Sequence, residues 1–427
     1  MEALVISGGR PLCGTVEIGG AKNALLPIMA ATVIHGGAYL LHHCPQITDA
    51  DLAAGIIESL GGHVSRLGTD LWIDTTNLCR WEIPRDLMAN MRASVLFLGA
   101  LLARFGRAVL TMPGGCPLGR RPIDLHLDAM ARMGVGVCLY EDEIHCEGSL
   151  HGCTIDLLFP SVGATENVLL AATACEGTVI LQNGAQEPEI SDLAAFLRAM
   201  GAQIEEQDGT YRIHGGRLLH GASHTILPDR IETATYLCAA AGCGGDVTVE
   251  RTDSRLLCPV LRVLEQAGCR IHTYETSIRL QAEGLRGVED LETAPYPGFP
   301  TDAQAIVMAA MLRAEGSTRF SESIFERRFG HVPQMQKFGA KIETSGPTAL
   351  VTGVSKLQSA VCEATDLRAA AALVLTALQA EGKSSVFGLK HLDRGYDNLV
   401  ENLQNLGAEI VRLPCNNTTG NFLSDGV

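Results

Sequence analysis

Two patterns of apolar and polar residues alternate along the chain. The first is a run that is apolar on every side and rich in Ala, followed by a short Gly-containing turn and a strand-like stretch. It occurs as AKNALLPIMAATVIHGGAYLL from Ala21, RASVLFLGALLARFGRAVL from Arg92 and ATENVLLAATACEGTVIL from Ala164. It returns as IETATYLCAAAGCGGDVTV from Ile231, TDAQAIVMAAMLRAEGSTRF from Thr301 and TDLRAAAALVLTALQAEGKSSVF from Thr365. A helix without a polar face belongs in a core. The second pattern is amphipathic, as in DLAAFLRAMG and NLVENLQNLG, and ends in Gly with a strand behind it, the sequence of a helix stopped at a left-handed residue. Its glycines are Gly61, Gly134, Gly201, Gly268, Gly339 and Gly407, separated by 73, 67, 67, 71 and 68 residues. Six copies of a unit of about seventy residues, each with two helices and several short strands, therefore fill the sequence. If the Ala-rich helices are buried, sheets lie outside them.

With 427 residues, two or three domains are expected. The segment LPDRIETATY around Asp229 opens the fourth copy and halves the repeat count, which makes it the candidate boundary. Hydrophobic residues make up 46% and aromatic residues 5%, so the cores must be built from Ala, Val, Leu and Ile. Lys and Arg total 33 against 48 Asp and Glu, a net charge of −15. That argues against nucleic-acid or anionic-membrane partners, and an anionic substrate would need a local cationic pocket. None of the 14 cysteines forms a C-x-x-C pair, so no zinc ribbon, redox pair or other metal site is signalled. The opening MEALVISGG has no basic region ahead of an apolar core, and the longest apolar runs fall short of the ~20 residues that span a bilayer, so a cytoplasmic protein is expected. The segment after Leu413, PCNNTTGNFLSDGV, is polar and expected to be loose.

The stretch TMPGGCPLGRRPIDLHLD from Thr111 carries the densest chemistry. Pro113, Gly114 and Gly115 cannot continue a strand or helix, which puts Cys116 on a pliant loop with Arg120 and Arg121 close behind, a thiol delivered together with cations. Cations also stand where helices begin. Lys22, Arg92 and Arg368 open three of the six copies, placing positive charge beside free backbone N–H groups, a combination that suits an anion. Asp302 and Asp366 open two copies and are most simply N-caps, although Asp302, held by the stiff approach PYPGFP, is also placed to take a proton from a hydroxyl. Arg327 and Arg328 in ERRFGH and Arg394 in LDRGYD are further cations, for which surface decoration is the alternative.

Taken together, GGAKNALLPI, MRASVLFLGALLARFG, PGGC with RPIDLHL, PSVGATEN, EPEI, PDRIET, PGFPTD, ATDLRA and HLDRGY carry a close resemblance to the bacterial UDP-N-acetylglucosamine enolpyruvyltransferases, from about residue 1 to 413. The resemblance implies an α/β inside-out barrel of two similar domains, three repeats each, with buried helices surrounded by sheets and their N-termini aimed at a cleft. One domain would span 22–227 and the other 1–21 with 228–427. It also implies a reaction: transfer of the enolpyruvyl group of phosphoenolpyruvate to the 3′-hydroxyl of UDP-N-acetylglucosamine with release of phosphate, the first committed step of peptidoglycan synthesis, without cofactor or metal.

Carried over residue by residue, Cys116 would protonate C3 of phosphoenolpyruvate, bond to its C2, or both. Lys22, Arg92, Arg121 and Arg394 would hold phosphate and carboxylate, with Lys22 and Arg394 counted with the catalytic groups. Asn23 and Asp302 would contact the sugar, Asp302 as base. Arg121, Pro122, Ile123, Asp124 and Leu125, with Phe159, Pro160, Ser161, Val162 and Gly163, would line the uridine site, and Ile324 would touch the nucleotide. Some members carry Lys where this chain has Phe159. Asp366, Arg368, Arg328 and His126 match further cleft residues. The alternatives are a 5-enolpyruvylshikimate-3-phosphate synthase-like enzyme, against which PGGC and RPIDLHL argue, and a catalytically silent paralogue that binds the nucleotide sugar.

Overall fold

A computed structural model describes residues 2–112 and 123–414. Cys116, Arg121 and Pro122, and the segment beyond Pro414, lie outside the described residues. Each of the six Ala-rich runs forms a buried helix: Lys22–Ala31, Phe97–Phe105, Val162–Ala172, Arg230–Cys243, Thr301–Ala310 and Leu367–Gln379. Burial extends all the way round, as the pattern required. Every residue from Arg230 to Ala241 and from Arg368 to Gln379 is shielded from solvent. Small side chains let helix backbones approach one another. Gly99 takes this furthest, since a Cβ there would stand 2.4 Å from the Asn167 carbonyl oxygen on the neighbouring buried helix.

All six Gly-terminated helices stop as expected. Gly61, Gly134, Gly201, Gly268, Gly339 and Gly407 have φ of +105°, +98°, +105°, +106°, +85° and +90°, a region in which a Cβ is strained. The helices themselves vary. The one before Gly339 shrinks to Val332–Gln336 with a 3₁₀ turn ahead of it. The run from Arg92 also opens as a 3₁₀ segment, Arg92–Leu96, before turning α-helical at Phe97.

The chain divides into two compact units, one of residues 20–112 and 123–227, the other of 2–19 and 228–414. Each has its own apolar core. The first encloses the helices from Lys22, Phe97 and Val162. Its sheets are ordered Ser223–Thr225, Ala38–His42, Asp70–Asp74, His63–Leu67; then Gln203–Gln207, Thr210–His214, Thr178–Gln182, Thr154–Asp156; and Arg107–Thr111, Glu143–Glu147, Gly136–Tyr140. The second unit encloses the helices from Arg230, Thr301 and Leu367. Its sheets are Arg270–Thr273, Ser277–Ala282, Gly245–Glu250, Leu12–Glu17; then Asp290–Glu292, Ser317–Ser321, Thr348–Thr352, Lys341–Ser345; and Val361–Glu363, Lys383–Phe387, Glu2–Ser7, Glu409–Pro414.

One arrangement recurs in all of them. The strand after each buried helix pairs in parallel with a short edge segment on one side and antiparallel with a strand on the other. In the three-stranded sheet the edge is reduced to a bridge between Glu82 and Val109. Strands such as Ala38–His42 and Thr348–Thr352 alternate buried with less buried residues, so the sheets form the outer layer around the helices. The opening edge strand of each unit's first copy comes from elsewhere in the chain: Ser223–Thr225 serves Ala38–His42, and Leu12–Glu17 serves Gly245–Glu250. This is a two-unit α/β fold of six repeats with helices inside and sheets outside. Among the described residues no helix is long and apolar enough to cross a membrane.

Candidate active site

In the unit of residues 2–19 and 228–414, the three buried helices begin differently. Asp229 caps the first, its Oδ1 accepting from the N–H groups of Ile231 at 2.8 Å and Glu232 at 3.0 Å. Asp366 caps the third in the same way, accepting from Arg368 at 3.0 Å and Ala369 at 3.1 Å. The expectation of a cap holds for Asp366 and fails for Asp302. Pro300 occupies the cap position of the middle helix, so Asp302 falls second in that helix with its carboxylate pointing elsewhere.

That carboxylate is clamped. Arg328 Nη2 donates to Oδ1 at 3.0 Å and Arg368 Nη2 to Oδ2 at 2.9 Å. The two arginine side chains are 2% and 6% exposed and Asp302 is 31% exposed, so the acid faces outward from a cationic backing. Asp302 and Arg368 are both the second residue of their helices, so successive copies of one repeat bring acid and base together. Burial alone would disfavour the Arg368 cation, but Asp302, with Tyr396 and Asp229, more than offsets this and raises its pKa. Arg328 also donates Nε and Nη2 to the Thr301 carbonyl oxygen, at 3.2 and 2.9 Å, which fixes the start of the helix that carries Asp302.

Glu322, which the sequence did not single out, orders the neighbouring segment. Its Oε1 accepts from the N–H groups of Ile324 and Phe325 at 2.8 and 3.0 Å, and its Oε2 from Thr301 Oγ1 at 3.0 Å. Ile324 is thereby tied to the Asp302 helix. Arg394 is half-buried on a turn in which the N–H groups of Gly395 and Tyr396 both reach Leu392 O at 3.1 Å. The adjacent Asp393 is gripped by two nitrogens of Arg412 at 2.8 and 2.9 Å. Arg394, Lys390 and burial together lower the pKa of His391, burial contributing most.

In the unit of residues 20–112 and 123–227, Lys22 is the first residue of its helix, as expected. The helix dipole is not its sole company, because its Nζ lies 2.6 Å from Asp49 Oδ2 with both side chains largely buried. Asn23 follows, half-buried. A second cluster forms around His126, whose Nδ1 accepts from Asn167 Nδ2 at 2.7 Å. Asn167 also donates to Val95 O at 3.0 Å and accepts from Gly99 N–H at 2.7 Å, which leaves the proton of the neutral imidazole on Nε2. Burial, with Arg92 adding to it, pushes the His126 pKa down to about 4. The ring packs on Gly163, where an added Cβ would lie 3.0 Å from Cε1.

The chain around His126 and the chain around Gly163 are thus drawn into one place. Ile123 is buried, Leu125 half-buried and Asp124 exposed at the start of helix Asp124–Arg132. Ser161 caps the helix Val162–Ala172, and Phe159 is exposed, with Pro160, Val162 and Gly163 half-buried beside it. Asp49, Glu322, Asn167 and Tyr396 are the neighbours of the expected residues that sequence reasoning missed. Asn167, inside PSVGATEN, and Tyr396, inside HLDRGY, carried a local signal, whereas Asp49 and Glu322 did not.

The chain matches the family described as EPSP synthase (3-phosphoshikimate 1-carboxyvinyltransferase) over residues 6–403. It is 45% identical to UDP-N-acetylglucosamine 1-carboxyvinyltransferase of Granulibacter bethesdensis, covering 97% of this chain and 100% of that one. Identity to UDP-N-acetylglucosamine 1-carboxyvinyltransferase 2 of Caldanaerobacter subterraneus is 42%, with the same coverage. Among solved structures, the enolpyruvyl transferase NikO of Streptomyces tendae superposes with a TM-score of 0.88 at 29% identity, over 96% of this chain and 98% of that one. EPSP synthase of Acinetobacter baumannii shares the fold, with a TM-score of 0.75 at 16% identity over 97% of this chain and 100% of that one. A repeat of buried helices wrapped in sheets, acids and arginines at the helix starts, and likeness along almost the whole chain lead to one conclusion: the chain belongs to the enolpyruvyl (1-carboxyvinyl) transferase family and is a transferase.

Proposed function

We propose that this enzyme transfers the enolpyruvyl group of phosphoenolpyruvate to the 3′-hydroxyl of UDP-N-acetylglucosamine, releasing phosphate, in the cytoplasm and as the committing step of peptidoglycan synthesis. The relatives named for that reaction, more than 40% identical end to end, support the choice of acceptor. The observation that carries the chemistry is Asp302. It is released from capping duty, partly exposed, and held as a carboxylate between two buried guanidiniums.

In this reading Asp302 takes the proton of the sugar hydroxyl as its oxygen bonds to C2 of phosphoenolpyruvate, while C3 gains a proton from Cys116. The resulting tetrahedral adduct carries both the sugar ether and the phosphate on C2. Return of a C3 proton to the Cys116 thiolate then expels phosphate, which takes up the proton held by Asp302, and restores the double bond. Lys22, Arg92, Arg121 and Arg394 hold the phosphate and carboxylate, so that charge is neutralised throughout. Asn23 contacts the sugar. Pro122, Ile123, Asp124 and Leu125 with Phe159, Pro160, Ser161, Val162 and Gly163 form the uridine site. The neutral His126, carrying its proton on Nε2, supports that wall. The two domains of this reading span 22–227 and 1–21 with 228–427; the compact units differ from it in placing residues 20 and 21 with the first.

The test is release of inorganic phosphate from phosphoenolpyruvate with each acceptor in turn. UDP-N-acetylglucosamine is expected to give stoichiometric phosphate and a product heavier by one enolpyruvyl group. Release with shikimate 3-phosphate alone would transfer the assignment to the shikimate branch, and release with neither would leave a silent paralogue.

A further inference from the structure

The loop between the strand Ser317–Ser321 and the 3₁₀ turn Arg328–His331 is fastened at both ends to one residue, Thr301, the first of the helix that carries Asp302. At its start, Glu322 is 5% exposed and accepts the Thr301 hydroxyl proton on Oε2 at 3.0 Å. The other oxygen, Oε1, accepts from the N–H groups of Ile324 and Phe325 at 2.8 and 3.0 Å, which fixes the backbone where Ile324 stands. At its end, Arg328 donates Nε and Nη2 to the Thr301 carbonyl oxygen at 3.2 and 2.9 Å, and Nη2 also to Asp302 Oδ1 at 3.0 Å. Hydroxyl and carbonyl of Thr301 are thus given to the two ends of one loop.

Ile324 is half-buried, and an aliphatic side chain makes no directional bond, so where it meets a ligand is decided by its backbone. The carboxylate of Glu322 offers two acceptor oxygens and divides them, one for the loop and one for the helix. A buried carboxylate is costly without such donors, and Leu would fill much the same space without needing them. Gln could keep both sides, its oxygen toward the two backbone N–H groups and its NH2 toward Thr301 Oγ1, which can turn to accept. The loop is also steadied by Ser323, whose N–H donates to Thr293 Oγ1 at 3.0 Å, but only Glu322 and Arg328 join it to the Asp302 helix among these contacts.

We infer that Glu322 is a positioning residue for the nucleotide-sugar acceptor, its carboxylate holding the Ile324 loop in register with the helix that presents Asp302. This rests on the reading of Ile324 as a contact to the nucleotide and of Asp302 as the base. An acceptor gripped by its nucleotide and deprotonated at its sugar needs those two contacts at a fixed separation, and a displacement on the order of 1 Å can cost about a hundredfold in rate. Glu322 itself touches backbone and Thr301, so it acts through them.

The experiment compares the full-length enzyme with Glu322→Leu, Glu322→Gln, Thr301→Val, Thr301→Ser and Ile324→Ala. Phosphate release gives kcat and KM for each substrate, and calorimetric titration with UDP-N-acetylglucosamine gives its affinity. Glu322→Leu is expected to lower kcat/KM for the acceptor on the order of tenfold, chiefly through KM, and to weaken its binding to match, with KM for phosphoenolpyruvate within about twofold. Thr301→Val should move the same quantities in the same direction, and Glu322→Gln and Thr301→Ser should restore them. Loss of folded enzyme lowers apparent kcat and leaves both KM values in place, so a fall in kcat with unaltered acceptor KM and affinity in Glu322→Leu would overturn the inference. So would equal losses for donor and acceptor with Glu322→Gln no better than Glu322→Leu. Should Glu322→Leu not fold, Thr301→Val decides: wild-type acceptor KM and affinity there, with weakened affinity in Ile324→Ala, would overturn the inference alone. Wild-type acceptor affinity in Ile324→Ala would overturn the reading of that contact and the inference together.

Discussion

Replacing Asp302 by Asn keeps the shape and removes the charge on which two buried arginines depend. At an effective dielectric of about 20 and a separation of about 4 Å, each carboxylate–guanidinium pair is worth about 4 kcal/mol of Coulomb attraction, most of which offsets the cost of taking the arginines out of water. Breaking a buried pair from one side typically costs about 3–5 kcal/mol. The lower end applies here, because Asp302 is 31% exposed and Arg368 retains attraction to Asp229. A loss of about 3 kcal/mol corresponds to a fall in Tm of roughly 6–12 °C for a unit of this size. If Asp302 is the base, kcat falls in addition by about 10²–10⁴ with little change in KM for UDP-N-acetylglucosamine. Steady-state phosphate release and a thermal unfolding scan on the same preparation measure both. A kcat within fivefold of wild type, or a change confined to KM, would refute the role as base. A Tm shift below about 1 °C would refute the energetic account of the clamp.

Three more outcomes are expected. Cys116→Ala should abolish turnover while nucleotide-sugar binding, followed by calorimetry, stays largely intact; residual turnover in Cys116→Asp would mark proton delivery as the essential task, and none would mark an obligatory covalent bond. Glu232→Gln should stabilise the protein in a pH-dependent way. Burial, reinforced by Asp229 and Asp397, raises the Glu232 carboxyl from 4.5 to about 8, so its contribution to stability is complete below pH 4.5 and is lost as pH rises towards 8. The stabilisation should therefore be absent near pH 4 and greatest near pH 8, at most about 5 kcal/mol at ~1.36 kcal/mol per pKa unit and seen as a raised Tm, and a gain independent of pH would contradict it. Gly99→Ala should lower Tm by several degrees or prevent soluble expression, since its Cβ would lie 2.4 Å from the Asn167 carbonyl oxygen and 2.8 Å from Oδ1. Wild-type stability in that variant would show that the two helices separate at no cost.

The repeat was legible because it is written in local periodicity. An all-apolar run can only be a core helix, and a Gly at the end of an amphipathic one needs only its own φ to do its work. Helix starts were legible less evenly. Asp366 caps as an acid ahead of an apolar run should, whereas Asp302 sits two positions deeper because Pro300 took the cap. What could not be read were partnerships between distant residues. Asp302 meets Arg368 across 66 positions and Tyr396 meets Thr235 across 161, and no spacing rule joins a phenol in a turn to a threonine inside a buried helix. Lys22 looked like a bare cation at a helix start until the fold brought Asp49 to it.

The borrowed edge strands bear on how the chain is made. The unit of residues 20–112 and 123–227 has all its pieces once Ser223–Thr225 has left the ribosome, and can close while synthesis continues. The other unit cannot, because Glu2–Ser7 is flanked by Lys383–Phe387 and Glu409–Pro414. The strand Glu2–Ser7 thus waits for neighbours made hundreds of residues after it, and must be kept from wrong partners during that interval. Deleting Glu2–Ser7 would then injure a sheet whose remaining strands are encoded hundreds of codons downstream.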